Sequence, residues 1–171
     1  RPDEHSARQI FSRYLTPDLP IAEEEIKTAG GDPEDAVLRM IARAVEYMYA
    51  TDDGNKFLEV TYQNGEKEVL YFKDFSSGAM IENIVRRAKK LSIKRTIAGG
   101  DRGITTDDLL SSVRQEFREH EDLPNTTNPD DWAKISGKKG ERIVYVRTIV
   151  NEGSHDKGGR QIERVTTGQY L

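Results

Sequence analysis

The hydrophobic pattern of this chain changes period in the middle of a helical sequence. From Phe57 onward, Leu58, Val60 and Tyr62 alternate with the residues between them, and a second apolar run covers 69–72. Asn64-Gly65 lies between the two runs and suits the two positive-φ positions of a type I′ turn. The segment therefore predicts a β-hairpin with helices before and after it.

Two helices are predicted before the hairpin. The first begins behind Ser6 as N-cap, and its apolar residues recur at helical spacing as far as Leu15. The second has Asp32 as its cap and Pro33 at its first position, and runs to about Ala50.

Two more helices follow the hairpin. The third begins after Ser77 and closes near Gly99, with an inward stripe of Ile81, Ile84, Val85, Ala88, Ser92 and Ile93. In the fourth, Thr105 and Asp108 have the spacing of a capping box. The hairpin thus interrupts a four-helix unit.

The last third of the chain adds one strand and a tail. Residues 142–150 predict a strand that is apolar on both faces, which needs sheet neighbours, and the hairpin is the visible candidate. Residues 151–171 are rich in Gly, Ser, Thr and charges, so we expect a flexible tail. The predicted fold class is α+β.

Composition excludes several classes of function. A net charge of -4 provides no large positive field, so we expect neither nucleic acid nor a membrane surface as partner. The absence of Cys and the three scattered His argue against a metal site and favour the cytoplasm. No apolar run reaches the roughly 20 residues of a membrane span. Because the chain starts at Arg1 without Met, we expect it to be a piece of a longer protein.

No catalytic residues are predicted. The chain has no P-loop pattern and no strand that ends in paired acids able to hold Mg²⁺. His120 lies between Glu119 and Glu121, where a solvated surface histidine is the better interpretation than a catalytic base.

Longer stretches of sequence carry a family resemblance. The order of helices, with Ser77-Gly78-Ala79 opening the third, resembles the C-terminal helical subdomain of AAA ATPases. Finer matches resemble the actinobacterial proteasome-associated ATPases of the ARC type over essentially the whole chain. They are Phe57 to Tyr62, Tyr71 to Phe75, Glu121 to Trp132, Ser136 to Tyr145 and Gly168 to Leu171.

The resemblance implies a hexameric ring that unfolds proteins tagged with the prokaryotic ubiquitin-like protein and delivers them to the 20S proteasome. The parts that capture the tag and hydrolyse ATP lie outside this chain. The domains implied are a lid at 1–56 and 74–122, a β-grasp-like module at 57–73 and 123–150, and a docking tail at 151–171.

The resemblance also implies a nucleotide contact in the full ring. Gly78 and Ala79 match positions where a small residue lets the backbone approach the adenosine, and Ile10 and Tyr14 match positions beside the base. On pattern alone the structural alternative is favoured: Gly78-Ala79 begins a helix close to its neighbour, and the other two are core. ATP or ADP is expected in the full-length protein and no cofactor in the isolated chain.

The chain ends in Gln169-Tyr170-Leu171, which resembles the end of a proteasome activator that docks in the α-ring. A free carboxylate and a penultimate Tyr suit a pocket with a cationic rim. Gln169 departs from the usual hydrophobic residue, so six tails are needed for affinity. For three residues alone, a frayed terminus with an incidental Tyr is the favoured interpretation, and the family resemblance reverses that preference.

A second function stays open. The hairpin and the strand at 142–150 could form an autonomous ubiquitin-like module that binds a regulator or the modifier itself, or the sheet could only lengthen the lid.

Overall fold

The computed structural model describes residues 1–121 and 143–149. Most of the segment 123–150 assigned to the β-grasp-like module, and the predicted tail with Gln169, Tyr170 and Leu171, lie outside these residues.

The α+β prediction is confirmed. The helices are Glu4–Tyr14 (α1), Glu23–Thr28 (α2), Pro33–Tyr49 (α3), Gly78–Ile97 (α4) and Thr106–Glu121 (α5), and the strands are Lys56–Tyr62 (β1), Lys67–Tyr71 (β2) and Ile143–Thr148 (β3). Two short 3₁₀ turns, Asp53–Asn55 and Phe72–Phe75, flank the hairpin. The chain divides into a helical unit, Arg1–Ala50 with Ser76–Arg118, and a second unit that contains the sheet.

The helical unit is held together by α1, which packs against both α3 and α4. Ala7 and Phe11 of α1 are fully buried, as are Met40 and Met48 of α3. Full burial of a side chain such as Phe11 contributes roughly 1.5–3 kcal/mol relative to leaving it in water. A short helix of eleven residues is thus stabilised by its neighbours.

Most predicted helix starts are confirmed. Asp32 caps α3, and the Oγ of Ser77 accepts a hydrogen bond from the backbone N–H of Met80 at the start of α4. The prediction of Ser6 as the cap of α1 is wrong. The cap is Asp3, whose carboxylate accepts from the N–H of Ser6 at 2.7 Å. The helix therefore begins one turn earlier than predicted, and the negative charge of Asp3 also favours the positive helix end.

Helix α2, which has six residues, was not predicted from the sequence. Its first turn is Glu23-Glu24-Glu25 and it buries no residue, so it has no apolar stripe to detect. The chain just before it is fixed by a parallel bridge between Ile21 and Ile104.

Gly103 makes that bridge possible. It has φ +112°, and a Cβ built there would lie 2.4 Å from the backbone N of Ala22. Both the conformation and the space exclude a side chain.

The sheet has the order β2-β1-β3, and both ladders are antiparallel. The prediction that the strand near 142–150 pairs with the hairpin is confirmed, with Val60 of β1 opposite Val146 of β3. A β-grasp topology stays a prediction.

The prediction of a hairpin is confirmed, but the prediction of a type I′ turn is wrong. No residue other than Gly has positive φ among the described residues, so Asn64 does not occupy a type I′ position. Gly65 alone has positive φ, at +86°, and its N–H donates to the carbonyl of Tyr62. The loop therefore has three residues, 63–65, with the glycine in the left-handed position, and the Oδ1 of Asn64 accepts from the N–H of Glu66.

One inward residue predicted for α4 is also wrong. Ile93 is 58% exposed, whereas Ser92 is buried as expected. The two are adjacent, and the buried stripe of α4 passes through Ser92, which turns Ile93 to the other side.

Within the described residues, none of the helices combines the length and apolar character needed to cross a membrane.

Candidate functional site

The four residues predicted to contact nucleotide lie on two helices that pack together. Ile10 and Tyr14 are on α1 and are half-buried, while Gly78 and Ala79 are the first two residues of α4. Ala79 is exposed. Because α1 and α4 are in contact, the structure brings the two pairs into one subdomain from positions far apart in the sequence.

The N-terminus of α4 has a regular geometry. Ser77 is extended, and its hydroxyl accepts from the N–H of Met80 at 3.2 Å. The remaining N–H groups of the first turn lie at the positive end of a 20-residue helix, where negative charge is favoured.

The space around Gly78 decides against one structural explanation for this glycine. A Cβ built on Gly78 meets no heavy atom within 4 Å, and its backbone does not have positive φ. Neither the packing nor the conformation of the described chain therefore requires glycine at this position, in contrast to Gly103.

Hydrogen bonds of Tyr49 connect the residue before the start of α4 with the start of the chain. The sequence patterns did not indicate a role for Tyr49. Its hydroxyl donates to the carbonyl oxygen of Pro2 at 2.5 Å and lies 3.0 Å from the Oγ of Ser76. The contact joins residues that are 47 and 27 positions apart, so no local pattern could have revealed it.

Burial raises the pKa of Tyr49, against the opposing effect of the hydrogen bond with Ser76. The hydroxyl is thus protonated at neutral pH and available as a donor. It fixes the entries of α1 and α4, on which the two predicted residue pairs lie.

A second cluster fixes the far end of α4 against α5. The guanidinium of Arg95 donates to both carboxylate oxygens of Asp108, at 2.8 and 2.6 Å, and to the carbonyl of Gly103. Asp108 and Thr105 also form the reciprocal hydrogen bonds of a capping box, which confirms that prediction.

Burial alone would raise the pKa of Asp108, but hydrogen bonds from Arg95 and Thr105 outweigh it and hold the pKa below its ordinary value. One more carboxylate serves the same helix: Glu25 of α2 accepts from the N–H of Thr106 at 2.7 Å. The missed helix α2 thus contributes a cap to α5.

Among the described residues, no group of His, Asp and Glu has the arrangement of a metal site. The cap carboxylates already accept hydrogen bonds from the backbone, so their role is structural.

Two features define the class of this protein. It is a helical subdomain in which an antiparallel hairpin separates α3 from α4. The start of α4 is capped by Ser77 and carries Gly78, a glycine that internal packing does not require. The chain matches the family model "ARC, AAA+ ATPase lid domain" over residues 2–170. It belongs to this family.

Curated relatives agree with that assignment. The chain is 72% identical to a proteasome-associated ATPase of Acidimicrobium ferrooxidans, 59% to that of Thermobifida fusca and 58% to that of Frankia casuarinae, each over 172 aligned residues and all of this chain. The match covers 30%, 30% and 29% of those proteins. The chain therefore spans about three tenths of the length of these relatives.

Proposed function

We propose that this chain is the lid and docking end of a hexameric, ATP-dependent unfoldase that delivers pupylated proteins to the 20S proteasome in the cytoplasm. The relatives named above are proteasome-associated ATPases, which supports the coarse role. Hydrolysis and tag recognition belong to parts of the full-length protein outside this chain.

The lid contacts the adenosine of ATP or ADP through Gly78 and Ala79, with Ile10 and Tyr14 beside the base. The observation that carries this proposal is the open space around Gly78. Neither packing nor backbone conformation requires glycine at this position, so the close approach of a molecule outside the chain is the explanation that we favour.

A leucine series tests the nucleotide contact. Gly78→Leu in the full-length protein should weaken ATP binding at least about tenfold, the equivalent of about 1.4 kcal/mol, because the side chain fills the space that the adenosine needs. Gly78→Ala should have a smaller effect. Fluorescent ATP analogues report the affinity.

Glu34→Leu is the matched control, since it adds the same side chain to an exposed first turn of α3. It should leave ATP affinity unchanged. Wild-type affinity in Gly78→Leu, with the lid folded by circular dichroism, would refute the contact.

The C-terminal Gln169, Tyr170 and Leu171 dock into the proteasome α-ring in this proposal. A carboxylate and an aromatic ring suit a pocket with a cationic rim, and six tails on one ring raise the effective concentration. Removing Tyr170-Leu171 from the hexamer should abolish stimulation of fluorogenic-peptide cleavage by the 20S particle, whereas Gln169→Leu should increase it. Full stimulation by the truncated hexamer would exclude docking by this tail.

The alternative is an autonomous ubiquitin-like module formed by the sheet. Its supporting observation is that β2 and β3 each have one unpaired edge in the described three-stranded sheet, where a partner strand could add. This alternative predicts that truncation of the tail changes no partner binding, which separates it from docking by the tail.

A further inference from the structure

A cleft of about 490 Å³ lies between α4 and α5 in the helical unit, and none of the residues proposed to contact nucleotide lines it. Four cations of α4 line it together with polar residues of α5: Arg86, Arg87, Lys90, Lys94, Ser111 and Gln115. We call this the basic cleft. Such a concentration of one charge is unusual in a chain whose net charge is -4.

Two of the cations are held by neighbours. Arg87 lies 3.3 Å from the Oε2 of Glu116, a carboxylate of α5 that is almost fully buried, and Asn83 donates to the other oxygen at 3.4 Å. Arg86 pairs with Glu82 one turn earlier, and because both side chains are exposed the pair contributes little.

The other two cations, Lys90 and Lys94, are available to bind a ligand. Lys90 and Lys94 are exposed and have no ion-pair partner among the residues that the structure describes. With Arg86 they form a row at every fourth position of α4, so successive cations are about 6 Å apart along the helix. Carboxylates one turn apart on a second helix have the same spacing.

An apolar pair lies beside this row. Ile93 is 58% exposed and Ile97 80%, and at four residues apart they share one face of α4. Lys90 is three positions before Ile93, so the cations and the isoleucines form one continuous surface. Leu91, at 38% exposed, adds an apolar wall inside the cleft.

We propose that the basic cleft and the Ile93–Ile97 face bind an acidic amphipathic helix of another polypeptide. The occupant carries a carboxylate on each turn, opposite Arg86, Lys90 and Lys94, and an aliphatic stripe beside them. This surface is additional to nucleotide contact and to docking by the tail.

Nucleic acid fits this surface less well. The side chains that line the cleft in the described part of the chain include no aromatic ring on which a base could stack. Two exposed isoleucines would lie against a phosphate backbone without benefit, whereas they match the apolar stripe of a helix.

The test uses the 171-residue chain and a fluorescein-labelled synthetic helical peptide of about 20 residues, long enough for appreciable helicity. The labelled peptide has Glu at every fourth position and Leu on the adjacent stripe of the helix. A control peptide has Gln in place of each Glu. Fluorescence anisotropy measures both affinities at low and at high salt.

We expect the acidic peptide to bind at least about tenfold more tightly than the Gln peptide, with an affinity that falls as salt screens the charges. Lys90→Glu with Lys94→Glu should weaken binding at least about tenfold, and Ile97→Asp should weaken it separately. Arg43→Glu reverses one charge at an exposed position of α3, outside the cleft, and this control should bind as the wild type does.

Equal binding of the two peptides, or no binding of either, would overturn the proposal. Unchanged binding by Lys90→Glu with Lys94→Glu would also overturn it. Circular dichroism checks that this variant is folded, and the milder Lys90→Gln with Lys94→Gln repeats the test. A polyuridylate oligonucleotide that binds more tightly than the acidic peptide, and loses affinity in the same variants, would assign the cleft to nucleic acid instead.

Discussion

The guanidinium of Arg95 on α4 donates two hydrogen bonds to the carboxylate of Asp108 on α5, at 2.8 and 2.6 Å. The side chain of Asp108 is 7% exposed and that of Arg95 33%. Since Asp108 also closes the capping box with Thr105, this pair fixes both the start of α5 and its position against α4.

Arg95→Ala should destabilise the chain by about 2–3 kcal/mol, because it leaves a largely buried carboxylate without its cation. Urea unfolding followed by circular dichroism measures the change. Arg39→Ala breaks an exposed pair with Asp35 on α3 and should cost no more than about 0.5 kcal/mol. Equal losses in the two variants would contradict the importance of the buried pair.

The same pair predicts a pH dependence of stability. The pKa of Asp108 in the folded chain is held below its ordinary value, so this carboxyl binds a proton more readily when unfolded. Its contribution is complete above about pH 4 and is lost as the pH falls through the folded pKa.

Urea unfolding of wild type and Asp108→Asn at a series of pH values from neutral to acid checks this. The wild type should lose more stability than the variant below about pH 4, because the variant lacks the titrating group. Parallel curves for the two proteins would show that Asp108 is not responsible.

Gly103→Ala should destabilise the chain by roughly 3 kcal/mol. Its Cβ would lie 2.4 Å from the N of Ala22 and 2.5 Å from the carbonyl carbon of Ile21, in addition to the strain of a positive φ. Thermal unfolding measures the loss.

Gly99→Ala is the control for Gly103→Ala. Gly99 also has positive φ, at +87°, but a Cβ there meets nothing within 4 Å. It should therefore cost only the conformational part, about 1 kcal/mol. A smaller loss in Gly103→Ala than in the control would show that the backbone near Ala22 shifts freely.

Tyr49→Phe should destabilise the chain by about 1 kcal/mol, because it removes the hydroxyl that donates to Pro2 and contacts Ser76. In the full-length protein it should also weaken ATP binding a few-fold, since Tyr49 positions the entries of α1 and α4. Tyr47→Phe removes a hydroxyl that accepts from Arg114 and serves as control. A loss of stability without any change in ATP affinity would limit Tyr49 to a structural role.

Local sequence patterns were sufficient wherever the determining contacts are local. Asp32, Ser77 and the Thr105–Asp108 box act within three residues of a helix start, so the residue types alone indicate the caps. The change of period at Phe57 likewise predicted the hairpin. The resemblance of the longer stretches predicted the family, which the match over residues 2–170 confirms.

Turn type and the short helix needed more than local pattern. Asn64-Gly65 permits either a two-residue or a three-residue loop, and the register of Thr61 opposite Lys67 selects the second. Helix α2 buries nothing, so it has no periodicity. Its position depends on the bridge of Ile21 to Ile104 and on the hydrogen bond from Thr106 to Glu25.

For the candidate site, the sequence by itself named Ile10, Tyr14, Gly78 and Ala79 through resemblance, and it named the C-terminal Tyr170. Only the tertiary structure put α1 against α4, linked both to Tyr49, and left open space at Gly78. It also turned Ile93 outward beside Lys90 and Lys94. The physical reason is that caps and turns depend on neighbours within a few residues, whereas burial, ion pairing and free space depend on residues that only folding brings together.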